Sequence, residues 1–266
     1  MNLPLSTRLK QSLRRTLLAV QSIPMRVGHL LSGKAYPVEC NICGWQGEEF
    51  KSDLWHRGAI CPQCQGALRY RLLYATLAEE NRLEDWIQGK RMLHFAPEAI
   101  LSKLFAPLAG HYDRADFLRS DCNLRLDMCQ MTEVADQSYD AILHMDVLEH
   151  VPDLPKALDE LYRILAPGGV MICTIPQKDG LAETQEDPSI DSPEARLEHY
   201  GQEDHLRIFG DDFAGLVQGH GFEVEVIDQQ KFSPDRVQLH GLKPPEPSVH
   251  PLATNHRRIY LCSRKA

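Results

Sequence analysis

"YDAILHMDVLEHVPDLPKALDELYRILAPGGVMICTIP", residues 139–176, decides the reading of this chain. Residues 139–148 read as a strand, 154–169 as a helix that stops at Pro167-Gly168-Gly169, and 170–176 as a second strand. The same alternation extends upstream. "RMLHFA" (91–96) is a strand, 98–108 a helix, "HYDRADF" (111–117) a strand and "LRLDM" (124–128) another. Downstream, 177–205 is polar and proline-dotted. Residues 210–222 form a helix with Asp211 or Asp212 near its start and Gly219 or Gly221 at its stop. The late strands are 223–229 and 257–264, and the stretch between them, with Pro244, Pro245, Pro247 and Pro251, reads as a loop. Such alternation predicts an α/β fold: a doubly wound, Rossmann-like sheet of seven strands with its ligand at the strands' carboxyl ends. Two last strands joined without a helix predict an antiparallel edge.

Composition sets the outer limits. At 266 residues, 43% hydrophobic and 25% charged, the chain has the balance of a soluble protein with a sizeable core. No apolar run reaches the roughly 18 residues of a transmembrane helix, and the start lacks the pattern of a signal peptide. Residues 1–34 carry Arg8, Lys10, Arg14, Arg15, Arg26 and Lys34 and no acid, so the remainder holds a charge of −14 within the net −8. An acidic body weighs against nucleic acid as a partner. Leu5, Leu9, Leu13 and Leu17 recur four apart, with Arg8, Gln11, Arg14 and Arg15 mostly on the other side, so 5–20 reads as a basic amphipathic helix. It either packs inside the protein or attaches to an anionic membrane surface. Scattered Cys122, Cys129, Cys173 and Cys262 fit a reduced, cytoplasmic setting.

Cys40, Cys43, Cys61 and Cys64 form C-x2-C-x17-C-x2-C. Four thiolates in two such pairs match tetrahedral zinc, and a set closed by four protein ligands is structural rather than catalytic. Disulfides or metal-free thiols are the other readings. The expected organisation is a basic helix and linker over 1–37, a zinc ribbon over 38–66, a connecting helix over 67–89 with Gly89 as its cap, and an α/β domain over 90–266.

Acids recur at successive strand ends: Asp116 after the second strand, Asp127 before Met128 after the third, and Asp146 after Met145 at the end of the fourth. A carboxylate after the second strand suits a ribose diol. One after the third suits an adenine amino group, with Met128 packing on the ring. With "D-x-L-E-H-V", "L-x-P-G-G" and the later "EDHLRIFGDDFAGLVQGHGFEV", residues 90–265 resemble class I S-adenosylmethionine-dependent methyltransferases. A subgroup with an N-terminal four-cysteine zinc ribbon and an "FAPE" turn is the most similar. The resemblance implies S-adenosylmethionine as cofactor across His94, Phe95, Ala96, Pro97 and Glu98, with Asp116, Asp127, Met128, Met145 and Asp146 completing the site. The departure is that first loop, which carries no glycine where the family has several. Pro97 suits a first helical turn and Glu98 a helix start, where its charge is favoured; Glu98 could also receive the cofactor's ammonium group.

Methyl transfer to a hydroxyl benefits from a base with a pKa near neutrality. His205, at the end of the 177–205 insertion, and His150, in "LEHV", are the catalytic candidates, the latter also readable as a packing residue. The insertion reads as a lid or as a solvated acidic loop. An acidic, histidine-bearing wall suits a small neutral substrate, and the ribbon subgroup's resemblance points to a sugar or glycan. An RNA methyltransferase gripping its substrate through the ribbon, Arg69 and Arg71 is one alternative. A non-catalytic interaction module is another.

Overall fold

The computed structural model describes residues 36–79 and 81–266, so the expected helix over 5–20 and most of the linker lie outside the described residues. An antiparallel ribbon of β1 (Val38–Glu39) and β2 (Gln46–Gly47) precedes α1 (Leu68–Ala78) and α2 (Arg82–Trp86). Then follow β3 (Arg91–Phe95), α3 (Ala99–Phe105), β4 (His111–Asp116), β5 (Leu124–Arg125), β6 (Tyr139–Met145), α4 (Leu154–Ile164) and β7 (Leu165–Thr174). The chain ends with α5 (Pro193–Tyr200), α6 (Phe213–Gly219), β8 (Glu223–Ile227), α7 (Pro234–His240) and β9 (Ile259–Ser263).

Seven strands pair in the order β5-β4-β3-β6-β7-β9-β8, parallel except that β9 runs antiparallel to β7 and β8. Period-two alternation divides the core between the faces. Leu93, Phe95, Ile142, Met171, Cys173, Tyr260 and Cys262 face one layer with α4 and α6. Met92, Ala141, Leu143, Val170, Ile172 and Leu261 face the other with α1 and the cysteine module. Strands buried on both faces explain the near-continuous apolar runs of the sequence. The order reverses between β3 and β6, which puts a crevice at their carboxyl ends.

Several elements differ from the sequence reading. The connecting helix breaks at Asn81, whose φ is +59°, and α1 is buried on most sides because it lies between the ribbon and the sheet. The third strand pairs only over Leu124–Arg125, leaving Asp127 in the turn beyond it. Pro167-Gly168-Gly169 does not stop α4, which ends at Ile164; it forms an irregularity inside β7. There a Cβ on Gly169 would stand 2.8 Å from the Ala166 carbonyl and 2.9 Å from that of Asp140, so glycine is required by close backbone approach. The stretch between the last two strands contains α7, begun by Ser233, whose hydroxyl accepts from the Arg236 amide.

Arg71 fastens the cysteine module to the body. Its buried guanidinium donates to the carbonyls of Gly58, Ala59 and Gly66 on one side and of His240 and Gly241 on the other. It also stacks 3.8 Å from the Phe50 ring centroid. The planar fork of arginine makes this many-carbonyl grip possible.

Candidate active site

Two adjacent central strands end in the same unusual backbone. Ala96, just past β3, has φ +45°, and Asp146, just past β6, has φ +55°. The left-handed region costs a residue with a Cβ about 1–2 kcal/mol. Neighbouring strands hold both in place: the Ala96 amide donates to the Ala115 carbonyl at 2.9 Å and the Asp146 amide to that of Thr174 at 3.0 Å. The glycine-free loop therefore makes the turn that glycine would make freely, with alanine as the smallest substitute. Strain of this kind collects at functional sites.

Charge converges on these two ends. The Asp146 carboxylate accepts from Arg257 at 3.0 and 3.1 Å and from the Thr174 hydroxyl at 2.7 Å, and it pairs with Arg69 at 3.3 Å. Burial works to raise its pKa, but Arg257, Arg69 and Thr174 outweigh it and hold the group below the usual carboxylate range. Arg69 also donates to the Tyr70 hydroxyl at 2.9 Å. Glu98 precedes α3 in extended conformation and does not cap it with its side chain, so Pro97 lies before the helix and not in its first turn. The Glu98 carboxylate lies 3.0 Å from Nε2 of His94, whose Nδ1 is 2.6 Å from the Tyr112 hydroxyl. The Glu98 carboxylate and the Arg69 guanidinium thus place an anion and a cation at these strand ends. Met145 is buried, its sulfur 3.9 Å from the Thr174 hydroxyl oxygen. Phe95 and Met145 thus line the strands from within, as core residues.

The Asp116 Oδ1 accepts from the Leu118 and Arg119 amides at 2.8 and 2.9 Å, shaping the turn after β4. Arg119 in turn donates to the Pro97 carbonyl at 2.9 Å, tying this turn to the loop after β3. The Asp127 Oδ1 accepts from the Cys129 amide at 2.8 Å, and its carboxylate is exposed. Met128 is buried in the core layer rather than presented at the surface. The exposed apolar residues near this end are Phe117 and Leu118, directly after Asp116. Sequence reasoning missed them, together with Arg257, Glu149 and the site role of Arg69. Only Asp116's position at a strand end could have drawn attention to the two apolar neighbours.

A second group forms where the 3₁₀ turn Leu148–His150 meets the insertion. His150 and His205 pack edge to face with centroids 4.8 Å apart. His205 Nε2 lies 3.9 Å and His150 Nε2 3.8 Å from the Glu149 Oε1. Burial, together with the nearby Asp146 charge, pushes the Glu149 carboxyl well above its ordinary pKa. Burial pulls His205 down, against the Tyr200 carbonyl that accepts from its Nδ1 at 2.9 Å. The insertion is a fixed wall: Arg207 grips Glu186 and donates to the Leu148 and Val151 carbonyls at 2.7 and 2.6 Å. His144 stays apart from this chemistry, fully buried in β6 with its pKa lowered to about 3 by burial.

In the ribbon, the Cys40 and Cys64 sulfurs are 3.7 Å apart, as are those of Cys43 and Cys61, and all four lie within 4.8 Å of one another. A tetrahedron of metal–sulfur bonds of about 2.3 Å has an edge of about 3.8 Å, so the four residues fit zinc. Of the two arginines read as RNA contacts, Arg71 is buried among carbonyls and Arg69 is partly exposed and paired with Asp146. Among the described residues no helix is long and apolar enough to cross a membrane.

No curated protein matches the chain. The fold resembles that of an S-adenosylmethionine-dependent methyltransferase from Mesorhizobium loti, at 14% identity and TM-score 0.50, over 76% of this chain and 100% of that one. A second similar structure is the 1,6-didemethyltoxoflavin-N1-methyltransferase of Burkholderia thailandensis, with S-adenosylhomocysteine bound. It has 14% identity and TM-score 0.48, over 75% of this chain and 79% of that one. Residues 84–226, more than half of the sequence, match the methyltransferase-domain family, and the chain belongs to that family.

Proposed function

We propose that the protein transfers the methyl group of S-adenosylmethionine to a hydroxyl of a sugar or related small polar metabolite. The observation that carries this reading is the strained, charge-lined crevice at Ala96 and Asp146, flanked by the Glu149, His150 and His205 group. Glu98 and Arg69 would receive the cofactor's ammonium and carboxylate, Asp116 its ribose, and the Asp127 turn its adenine end, with Phe117 and Leu118 as the exposed apolar surface beside them. Asp146, neutralised by two arginines, closes the floor. Bound there, the cofactor supplies an activated methyl group on sulfonium. An acceptor oxygen held in line there would take that methyl group, with S-adenosylhomocysteine as the leaving group and the hydroxyl proton passing to solvent. Alignment therefore contributes much of the catalysis. His150 and His205 serve the acceptor side. The four ribbon cysteines hold a structural zinc and brace α1, which presents Arg69.

The acceptor class follows from charge. The insertion exposes Glu183, Asp187, Glu194, Glu198 and Glu203, which repel a phosphate backbone. A methyl-labelled donor should mark a sugar-containing metabolite pool incubated with the protein. Label appearing in an RNA pool instead would overturn the acceptor assignment.

A further inference from the structure

Glu149 is 1% exposed at its side chain, yet neither carboxylate oxygen has a hydrogen-bond partner. Burying a carboxylate without donors is costly. The groups facing it are imidazoles, at 3.8 Å for His150 and 3.9 Å for His205, too far for hydrogen bonds. Both rings have committed their other nitrogen. His150 Nδ1 is 3.2 Å from the Asp204 carboxylate and 3.3 Å from its carbonyl, and His205 Nδ1 donates to the Tyr200 carbonyl. A ring that donates from Nδ1 keeps a lone pair on Nε2. Two imidazole lone pairs and a carboxylate thus converge within 4.8 Å of one another, and His205 Nε2 is also buried without a partner.

We propose that Glu149, His150 and His205 hold a divalent metal ion. Three donors of a tetrahedral ion with bonds of about 2.1 Å stand about 3.4 Å apart, so the present separations would close by roughly half an ångström around an ion and leave a fourth position open. Two nitrogens and one carboxylate suit manganese, iron, cobalt or zinc rather than calcium. The ribbon differs in kind, being closed by four sulfurs. Supports behind the ligands are already built. Asp204 orients His150, as carboxylates behind metal-binding histidines do. The Leu206 amide donates to the Glu149 carbonyl at 2.9 Å, and Arg207 holds the carbonyls of Leu148 and Val151, so residues distant in sequence keep fixed spacing.

The ion's use rests on the methyl-transfer reading. An acceptor hydroxyl that reached it past half-exposed His150 would have its pKa lowered toward neutrality. This favours an acceptor with one or two adjacent hydroxyls over an amine.

The test uses the full chain with its ribbon intact and Mn²⁺ alone as the probe, followed by electron paramagnetic resonance. Wild-type protein should bind about one Mn²⁺ per chain. Glu149→Gln and His205→Gln should each weaken binding on the order of a hundredfold, with zinc content unchanged and melting curves confirming the fold. Should either buried variant fail to fold, His150→Gln at the half-exposed position carries the same expectation. No Mn²⁺ bound at millimolar concentration, or unchanged affinity in the folded variants, overturns the site. Calorimetry with S-adenosylmethionine separates the two claims. Mn²⁺ binding that depends on Glu149, in a protein that binds no cofactor, keeps the metal and removes its catalytic use.

Discussion

Arg69 Nε lies 3.3 Å from the Asp146 Oδ2, so the first helix after the cysteine module reaches the end of a central sheet strand. Asp146 retains Arg257 and Thr174 when Arg69 is removed. Arg69→Met should therefore fold, while cofactor affinity falls about tenfold through loss of one charge-assisted hydrogen bond. Unchanged affinity by calorimetry would reduce Arg69 to a brace for Asp146.

Ala96 holds a left-handed backbone that glycine adopts without strain. Ala96→Gly should leave stability equal or raise it by up to about 1 kcal/mol. Ala96→Val should cost about 2 kcal/mol or more, since a β-branched side chain is still less compatible with that region. Urea melts of both variants check the sign. A destabilised glycine variant would contradict the strained turn.

The ribbon should contain about one zinc per chain by metal analysis, and Cys61→Ser should lose it. A metal-free protein that folds and melts like the zinc-loaded one would contradict a structural zinc.

Arg71→Met removes five bonds to carbonyls that sit on both sides of the ribbon–body junction. Hydrogen bonds to charged groups contribute about 1.5–3 kcal/mol each before desolvation of the guanidinium offsets them, so a net destabilisation of at least about 3 kcal/mol is expected. A melting temperature equal to wild type would show that the junction does not depend on this grip.

Periodicity and serial strand–helix alternation carried most of the fold. Strands buried on both faces leave apolar runs in the sequence, and β3, β6 and β7 fall where those runs lie. Local chemistry was less legible. Pro167-Gly168-Gly169 looked like a helix stop because nothing local announces an irregularity inside a strand. Asp212 does stand at the start of α6, as its place in the sequence indicates, but its side chain accepts from Thr184 across the fold instead of capping the helix. The cysteine cluster was readable because spacing alone specifies it. Arg69, Arg257 and Glu149 were not, because only tertiary contact distinguishes them from ordinary surface charges. His205 was singled out from its place in the insertion, but the Tyr200 carbonyl that it donates to and the buried Glu149 3.9 Å away became visible only in the folded chain.

Calorimetric titration of the folded, full-length protein with S-adenosylmethionine tests the central claim most directly. Asp116 has Oδ1 committed to the turn after β4 and is assigned the ribose. Wild-type protein should bind about one cofactor per chain, and Asp116→Ala should weaken it on the order of tenfold to a hundredfold, the equivalent of one lost charge-assisted hydrogen bond. Equal affinity in the folded variant would remove the ribose assignment, and no heat of binding in the wild type would contradict the cofactor site itself.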